Sequence, residues 1–382
     1  METEVCKNRK RCGGCQLQGL SYEEQLKFKQ KELNTLLGEF GRVKSIIPME
    51  NPLHYRNKVQ SAFYYDYRRK KAVSGVFQST SKKIVPMSSC MIEDEKCSEI
   101  VNTIRKLCDS FKIQPFDRRS GRGFIRHTLI RRGFKSGEIM VVIVSATPVF
   151  PSRNNFIKAL LKEHADITTI VHNINPYQTE LILGERSNIL YGKGYIEDEL
   201  CGMRFRISPD SFYQVNPVQC EKLYNKAIEL AGLTGNEKVF DSYCGTGTIG
   251  LIASKSAKEI LGVELNKSAV KDAIANAKLN GVKNIYFECG DAGKYLIHSN
   301  YRPDVLIMDP PRAGSTEEFL RAVLKKSPKK VIYISCNPKT LQRDLKTLTK
   351  KYSVKEIQGV DMFPFTKHCE VVVSMSRGGS RL

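Results

Sequence analysis

The sequence predicts an α/β protein in two parts: an α+β region at residues 1–207 and a doubly wound parallel sheet at residues 208–382. From residue 239 onward, short apolar runs rich in β-branched residues alternate with segments of helical periodicity, as in a parallel sheet covered by helices. Before residue 208 no such alternation occurs, and several strand-like runs follow one another closely. The length of 382 residues suits two domains of ordinary size.

Composition and charge narrow the class of protein. The apolar content of 41% is enough for real cores, and no apolar run approaches the roughly 20 residues of a membrane span. No apolar segment at the N-terminus could serve as a secretory signal, so we expect a cytoplasmic protein. We also expect a monomer without a membrane partner. The formal net charge of +21 favours a polyanion as partner, with nucleic acid preferred over the alternative of a lysine-rich surface.

Three of the twelve cysteines lie close together near the N-terminus, and Cys90 stands alone. Disulfides are rare in the cytoplasm, which leaves metal binding, catalysis or packing. Cys6, Cys12 and Cys15 form the pattern C-x5-C-G-G-C, and no strand precedes it as in a redox dithiol. The spacing by itself leaves an iron–sulfur cluster and a zinc site open, with unliganded thiols as a third alternative.

Two stretches of the first part combine basic and aromatic residues. Residues 52–77 read as two strands joined by a basic turn, and residues 118–134 carry six arginines. Arginine and lysine can contact phosphates while aromatic rings stack on unpaired bases, so an RNA-facing role is one interpretation. An ordinary hairpin with solvated charges is the other. Between residues 1 and 52, a Ser-x-x-Glu capping box beginning at Ser21 predicts a structural helix through about residue 37.

In the second part, residues 331–345 (VIYISCNPKTLQRDL) predict a buried strand, a sharp break and a helix. Ligands of open α/β sheets bind beyond the carboxyl ends of the strands, where this pattern places Cys336. The positive end of the helix dipole favours a thiolate, so we expect Cys336 to be a nucleophile. The last two strands, at residues 353–361 and 370–375, are expected to pair antiparallel at one edge of the sheet.

Three further motifs follow strands of the same sheet. Gly245 and Gly247 allow a ligand to approach the backbone, and acidic Glu264 at the end of the next strand can bind both hydroxyls of a ribose. The residue order DSYCGTG at residues 241–247 suits S-adenosylmethionine better than a dinucleotide. Prolines after Asp309 aim that side chain into the cleft. Glu370 stands at the start of the final apolar strand, where burial would raise its pKa and suit it to proton transfer, and His368 is the alternative base.

A thiol, a base and a methyl sulfonium together indicate one reaction. Carbon 5 of uracil is too weak a nucleophile to take a methyl group directly. Addition of the Cys336 thiolate to carbon 6 makes carbon 5 enolate-like, and a base can later remove the carbon 5 proton. The target base must leave its stack to be reached by both groups.

Five motifs together resemble those of the RNA uracil-C5 methyltransferases: SPDSFYQVN (208–216), DSYCGTG (241–247), DPPR (309–312), ISCNPKTL (334–341) and DMFPFTKHCE (361–370). The resemblance covers most of the chain and implies a Rossmann-like, S-adenosylmethionine-dependent domain at residues 208–382 that forms 5-methyluridine in RNA. It implies that Cys336 is the nucleophile and Glu370 the proton acceptor. It also implies cofactor contacts from Gln214, Tyr243, Glu264 and Asp309.

The N-terminal cysteines resemble the [4Fe–4S] ligands of the branch that modifies 23S rRNA: Cys6, Cys12, Cys15 and Cys90. The resemblance therefore implies an iron–sulfur cluster in an RNA-binding domain at residues 1–207. It favours 23S rRNA over the T-loop of tRNA as substrate. Relatives with this spacing usually carry an N-terminal oligonucleotide-binding barrel. Only five residues precede Cys6, so we expect that barrel to be absent.

Two rival functions make different demands on the sequence. An RNA cytosine-C5 methyltransferase would be expected to carry Pro-Cys near the fourth strand, where this chain has Asp309 and Pro310. A non-enzymatic iron–sulfur RNA-binding factor would not need the complete set of Gln214, Glu264, Cys336 and Glu370.

Overall fold

A computed structural model of the chain describes residues 5–81, 83–177 and 181–378. The helices of these residues, in chain order, are α1 (Arg9–Cys12), α2 (Tyr22–Leu37), α3 (Glu95–Ser110), α4 (Arg153–Glu163), α5 (Pro217–Ala231), α6 (Thr248–Ala253), α7 (Lys267–Leu279), α8 (Ala292–His298), α9 (Glu317–Lys326) and α10 (Pro338–Leu348). A short 3₁₀ helix (Gly38–Phe40) follows α2.

The first ten strands are β1 (Val43–Ile47), β2 (Lys58–Asp66), β3 (Lys71–Phe77), β4 (Ile84–Pro86), β5 (Ile125–Arg132), β6 (Ile139–Ser145), β7 (Ile167–Ile174), β8 (Arg186–Tyr191), β9 (Ile196–Leu200) and β10 (Met203–Ile207). The remaining strands are β11 (Lys238–Ser242), β12 (Glu259–Glu264), β13 (Ile285–Cys289), β14 (Val305–Met308), β15 (Lys330–Ser335), β16 (Tyr352–Val360) and β17 (Glu370–Arg377). The predicted hairpin at residues 52–77 corresponds to β2 and β3, which pair antiparallel.

The chain forms two compact units. The first comprises the described residues within Met1–Gly19, Asn51–Glu199 and Arg206–Val215. Its sheet has the order β4-β3-β2-β5-β6-β7-β8, in which only β6 and β7 pair in parallel among the described strands. Helices α3 and α4 pack on this sheet through a core that contains Phe63, Ile104 and Phe156. This unit is the α+β region that the sequence predicts.

The second unit comprises the described residues within Leu20–Glu50, Leu200–Phe205 and Asn216–Leu382. Its sheet has the order β1-β16-β17-β15-β14-β11-β12-β13. Strands β11 to β15 are parallel, and β17 runs antiparallel to both β15 and β16. The expected doubly wound parallel sheet is therefore present, with mainly apolar central strands: β14 is fully buried, and β15 is buried except at Lys330.

Two features of the second unit differ from the sequence-based expectations. Strands β16 and β17 do pair antiparallel, but the prediction that they form the edge is wrong, because β1 adds in parallel beyond β16. The N-terminal residues 20–50 also group with this unit rather than with the first. Leu33, Leu37 and Ile46 share a core with Ile357 of β16, which accounts for that grouping. The boundary between residues 207 and 208 stays a prediction about the domains.

Candidate active site

Four of the predicted site residues lie at the carboxyl ends of neighbouring parallel strands of the second unit. Ser242 pairs with Val263, so Tyr243 and Glu264 come next to each other at the carboxyl ends of β11 and β12. Asp309 follows Met308, the last residue of β14, and Cys336 follows Ser335, the last residue of β15. The strand order β15-β14-β11-β12 therefore brings all four to one edge of the sheet, which is named the carboxyl edge below.

The final strand brings Glu370 to the same edge. Strand β17 runs antiparallel to β15, and Ser335 pairs with Val371. The next position on each strand therefore sets Cys336 beside Glu370, and the carboxyl of Glu370 acts on the pKa of the thiol. Glu370 is only 4% exposed. A thiol and a buried acid that lie 34 positions apart in sequence are thus neighbours across one strand pair.

Burial shifts the protonation of these groups. Burial, together with the neighbouring Asp309, raises the pKa of Glu370 to about 8. Asp309 keeps some exposure as a residue, yet enclosure of its carboxyl raises its pKa to about 7. Both acids therefore hold protons far more readily than ordinary carboxyls, in the direction that the sequence predicted for Glu370.

The pKa of the Cys336 thiol is higher than the sequence led us to expect. The N-terminus of α10 was predicted to favour the thiolate of Cys336, but the pKa of this thiol is raised to about 11. Burial is the main cause, Glu370 and Asp309 add to it, and the Arg312 guanidinium opposes it. The prediction of a favoured thiolate is therefore wrong, because desolvation and two acidic neighbours outweigh the helix dipole.

Hydrogen bonds join the three loops around the thiol. Asn337 caps α10 through its side-chain oxygen, and its Nδ2 donates to the carbonyl of Arg312 at 3.1 Å. The hydroxyl of Thr340 lies 3.4 Å from the same carbonyl. The guanidinium of Arg312 in turn lies 3.1 Å from Nδ1 of His368. The loops that carry Asp309, Cys336 and Glu370 are therefore held in one arrangement.

The turn after β11 has the features of a cofactor-binding loop. Glu264 accepts hydrogen bonds from the backbone amides of Gly245 at 3.1 Å and Asn266 at 2.8 Å. Each carboxylate oxygen has two lone pairs, so both oxygens keep a free acceptor for ribose hydroxyls. Gly247 has φ +79°, and a Cβ there would lie 2.7 Å from the ring of Phe287. Glycine is required at this position both for its conformation and for space.

A buried carboxylate beside this turn has an unused oxygen. Asp241 is 1% exposed, and its Oδ2 accepts from the amide of Gly250 at 2.9 Å. Its Oδ1 is buried without a partner among the residues that the structure describes. Burial raises the pKa of Asp241 to about 7. An acceptor left open next to a glycine turn fits the polar, positively charged S-adenosylmethionine.

Tyr243 and Gln214, two of the predicted cofactor contacts, belong to different units of the chain. Tyr243 adopts φ +60°, a left-handed conformation that is rare for a non-glycine residue, and its ring lies 5.2 Å from that of Phe319. Its hydroxyl lies 3.4 Å from Oγ of Ser315. Gln214 belongs to the first unit, whereas Tyr243, Glu264 and Asp309 belong to the second.

The four cysteines predicted as cluster ligands all belong to the first unit and are partly buried: Cys6, Cys12, Cys15 and Cys90. Burial raises the pKa of Cys15 to about 11, and the neighbouring thiols Cys12 and Cys6 contribute to the rise. Burial raises the pKa of Cys90 to about 12, with Glu93 and Cys15 contributing. Within the described residues, no three His, Cys, Asp or Glu side chains are arranged to hold a single metal ion.

One buried group beneath the site was not anticipated from sequence. Lys29 of α2 forms an ion pair with Asp361 at 2.6 Å, and the amide of Phe365 donates to the side chain of Gln25 at 2.7 Å. Both contacts hold the loop that leads to Glu370. A pattern in α2 could have indicated these contacts. The buried positions of the helix recur every four residues, and two of them, Gln25 and Lys29, are polar and therefore need buried partners.

Comparison with known proteins defines the family. Residues 162–290 and 294–378 match the tRNA (uracil-5-)-methyltransferase family. An uncharacterized RNA methyltransferase of Clostridium acetobutylicum is 42% identical over 384 residues, which cover 98% of this chain and 83% of that protein. Another from Listeria monocytogenes is 43% identical over 371 residues, covering 95% and 81%.

A solved structure agrees with this match. The tRNA (uracil-54, C5)-methyltransferase of Pyrococcus abyssi, in complex with S-adenosyl-L-homocysteine, superimposes with a TM-score of 0.81 at 30% identity, covering 95% of this chain and 86% of that one. No helix in the described parts of this chain combines the length and apolar character needed to cross a membrane. The resemblance seen in the motifs is confirmed at the level of the family: the chain belongs to the S-adenosylmethionine-dependent uracil-5 RNA methyltransferases.

Proposed function

We propose that this enzyme methylates carbon 5 of a uridine in 23S rRNA, with Cys336 as the nucleophile and Glu370 as the proton acceptor. The strand register that sets the thiol beside the buried acid is the observation that supports these roles most directly. Asp309, which acts on the pKa of both groups, would face the target base beside them. In this proposal residues 208–382 form the catalytic domain and residues 1–207 the iron–sulfur and RNA-binding domain.

In the proposed reaction Cys336 activates the uracil and Glu370 removes a proton after methyl transfer. Cys336 reacts as the thiolate, after its proton passes to solvent. Its sulfur adds to carbon 6 of the uracil, and the electron pair of the 5,6 double bond moves toward the carbon 4 carbonyl so that carbon 5 becomes nucleophilic. S-adenosylmethionine would supply the electrophilic methyl group to carbon 5 and would leave as S-adenosylhomocysteine. Glu370 then removes the carbon 5 proton, the double bond forms again, and the carbon–sulfur bond breaks to release Cys336.

The environment of Glu370 suits that last step. A carboxyl with a pKa of about 8 is a stronger base than an ordinary carboxylate, because burial disfavours its charged form. His368 is a weaker candidate, because it lies within hydrogen-bonding distance of Arg312 and its pKa is lowered by burial and that cation.

The cofactor would bind along the carboxyl edge from β11 to β14. Glu264 would accept both ribose hydroxyls through its free lone pairs, and the turn at Gly247 would let the ligand approach the backbone. Tyr243, Asp309 and Gln214 are proposed as further contacts, as the family resemblance implies.

The proposal of 23S rRNA as substrate rests on the resemblance of the cysteine pattern to the rRNA-modifying branch. The second candidate is the T-loop of tRNA, because the Pyrococcus abyssi neighbour is a tRNA (uracil-54, C5)-methyltransferase. Mass mapping of 23S rRNA and tRNA from a strain that lacks this protein separates the two. Loss of 5-methyluridine from 23S rRNA is expected, whereas loss from tRNA alone would favour the second candidate.

We also propose that Cys6, Cys12, Cys15 and Cys90 hold a [4Fe–4S] cluster. Cys6 and Cys12 raise the pKa of Cys15, and Cys15 raises that of Cys90, which supports the proposal because such an influence requires the thiols to lie close together. A cluster binds each thiolate to a different iron and so spaces its ligands more widely than one ion does. Anaerobically purified protein should contain about four irons per chain. Cys90→Ser should lower the iron content, with Cys289→Ser as the control, and iron-free wild-type protein would disprove the cluster.

Trapping the covalent adduct tests the catalytic proposal. RNA that carries 5-fluorouridine has no carbon 5 proton to remove, so the protein should remain attached and migrate more slowly in a denaturing gel. Cys336→Ala should form no adduct, whereas Cys289→Ala, which removes an exposed thiol of the same unit, should behave as wild type. Glu370→Gln should accumulate methylated adduct even on unmodified RNA. Methyl transfer by Cys336→Ala at the wild-type rate would disprove the mechanism.

A further inference from the structure

The first unit contains a cavity of about 560 Å³ that none of the proposed catalytic residues lines. Its walls come from β2, β3 and β5 and from residues 116–119. Small-molecule sites commonly have this size. Both stretches that combine basic and aromatic residues in the sequence, 52–77 and 118–134, contribute to it.

Aromatic rings and cations alternate around this cavity. The ring of Phe77 is 42% exposed and lies 6.2 Å from the ring of His127. The guanidinium of Arg118 lies 5.8 Å from the Phe77 ring centroid, and that of Arg126 lies 5.3 Å from the ring centroid of Phe116. A partly exposed aromatic ring next to guanidinium groups can stack on a nucleobase while the guanidinium groups contact its phosphate.

Two buried polar atoms of the cavity wall lack partners. Arg126 is 3% exposed and His127 is 6% exposed. Nη1 of Arg126 donates to the carbonyls of Asn175 and Tyr177, which holds the guanidinium in place. Among the described residues, neither Nη2 of Arg126 nor Nδ1 of His127 has a hydrogen-bond partner. Buried polar atoms without partners are rare and costly, so a ligand that supplies them is indicated.

The charge of the wall favours an anionic ligand. Four cationic side chains line the cavity (Lys83, Arg118, Arg119 and Arg126) against one carboxylate, that of Asp117. The Asp117 carboxylate already accepts the amide of Arg119 at 2.8 Å. Burial and the nearby Arg126 and Arg118 lower the pKa of His127 to about 4, so this ring is neutral at pH 7 and can donate to or accept from a base edge.

We propose that this cavity binds one unpaired nucleotide of the RNA substrate, with the base against the rings of Phe77 and His127 and the phosphate against the arginines. The proposal rests on the proposed function in that it takes RNA as the substrate. Because Cys336, Glu370 and Asp309 do not line the cavity, the nucleotide bound there differs from the uridine that is methylated. The cavity would hold a flanking part of the RNA and so select its sequence or its shape.

Binding of a fluorescently labelled, single-stranded RNA octamer to the full-length protein, followed by anisotropy, tests this site. Stacking on an aromatic side chain strengthens binding of a base, so Phe77→Ala should weaken RNA binding about tenfold. Phe134→Ala removes a phenylalanine that is 57% exposed in the same unit and does not line the cavity, and should change affinity less than about twofold. Circular dichroism should show both variants folded.

A second pair of variants tests the phosphate contact. Arg119→Ala should weaken binding and lower the slope of log affinity against log salt concentration by about one. Arg122→Ala removes an exposed arginine of the same loop that does not line the cavity, and should affect affinity less. Photo-crosslinking of wild-type protein to RNA that contains 4-thiouridine should label peptides that carry Phe77 or His127.

Some results would overturn the proposal. Unchanged RNA binding by both Phe77→Ala and Arg119→Ala would do so, as would crosslinks confined to other peptides. Displacement of the octamer by uridine or adenosine monophosphate at equal concentration would instead identify a free nucleotide as the ligand and also overturn it. Failure of the proposed catalytic function is a separate result, because Cys336→Ala should bind the octamer normally whether or not that residue is the nucleophile.

Discussion

The buried ion pair between Lys29 and Asp361 allows a quantitative test of what holds the loop that leads to Glu370. Both side chains are fully buried, and Nζ lies 2.6 Å from Oδ1. Nζ also donates to the carbonyl of Phe363 at 3.0 Å, and the hydroxyl of Tyr22 donates to the other Asp361 oxygen at 2.9 Å. Asp361 begins the loop that ends at Glu370, so this pair links helix α2 to the proposed proton acceptor.

Replacing Lys29 by Met keeps most of the side-chain volume but leaves the Asp361 carboxylate buried without its counter-charge. Removing one partner of a buried pair typically costs about 3–5 kcal/mol. The Tyr22 hydroxyl still donates to Asp361 in the variant, so we expect the lower end, a loss of about 3 kcal/mol in the free energy of unfolding. Urea denaturation followed by circular dichroism measures it.

Two further variants separate this explanation from a general effect on the helix. Lys27→Met removes an exposed ion pair of the same helix, Lys27 with Glu23 at 2.7 Å, and should leave the urea midpoint unchanged. The double variant Lys29→Met, Asp361→Leu removes both charges and should regain most of the lost stability. A loss of about 0.5 kcal/mol or less for Lys29→Met, as for ordinary surface substitutions, would refute the reasoning. So would a double variant less stable than the single one.

Three other predictions concern the carboxyl edge. Glu264→Gln should weaken binding of S-adenosylhomocysteine about tenfold or more, measured by calorimetry, because an amide offers only one oxygen for two ribose hydroxyls; unchanged affinity would contradict the contact. Turnover should rise with pH and level off above about pH 8, because Glu370 is half deprotonated at its pKa of about 8. Adduct formation by Glu370→Gln should rise with pH through the thiol of Cys336 without that plateau. Gly247→Ala should lower the free energy of unfolding by more than Gly281→Ala, for which a loss of roughly 1 kcal/mol is expected. Both glycines have positive φ, but only at Gly247 would the added Cβ lie against a phenyl ring of β13. Equal losses for the two variants in urea denaturation would count against the steric argument.

The strands of the second unit, and the residues at their carboxyl ends, were largely readable from the sequence. Strands such as β14 and β15 are short, apolar and separated by helices of regular periodicity, and their ends are marked by Asp309 and Cys336. In a parallel sheet every carboxyl end lies on one edge, so motifs that follow successive strands must meet. The capping box at Ser21 could also be predicted, because its hydrogen bonds join residues only three positions apart.

Contacts between distant segments could not be derived in this way. Strand β1 joins the sheet through β16, more than 300 positions later, and its five residues carry only one buried side chain. The pKa of the Cys336 thiol is raised by burial and by Glu370 and Asp309, which approach it only in the folded chain. The partner of Lys29 likewise lies 332 positions away.

The sequence by itself determined the class of fold, the family and the residue types at the end of each central strand, because periodicity and turn motifs act over a few residues. The tertiary structure decided which of these residues are neighbours and how readily they ionise. It placed Cys336 beside a buried acid, assigned α2 and β1 to the second unit, and formed the basic, aromatic cavity of the first unit. Proximity and desolvation depend on segments far apart in the chain, and no local pattern specifies them.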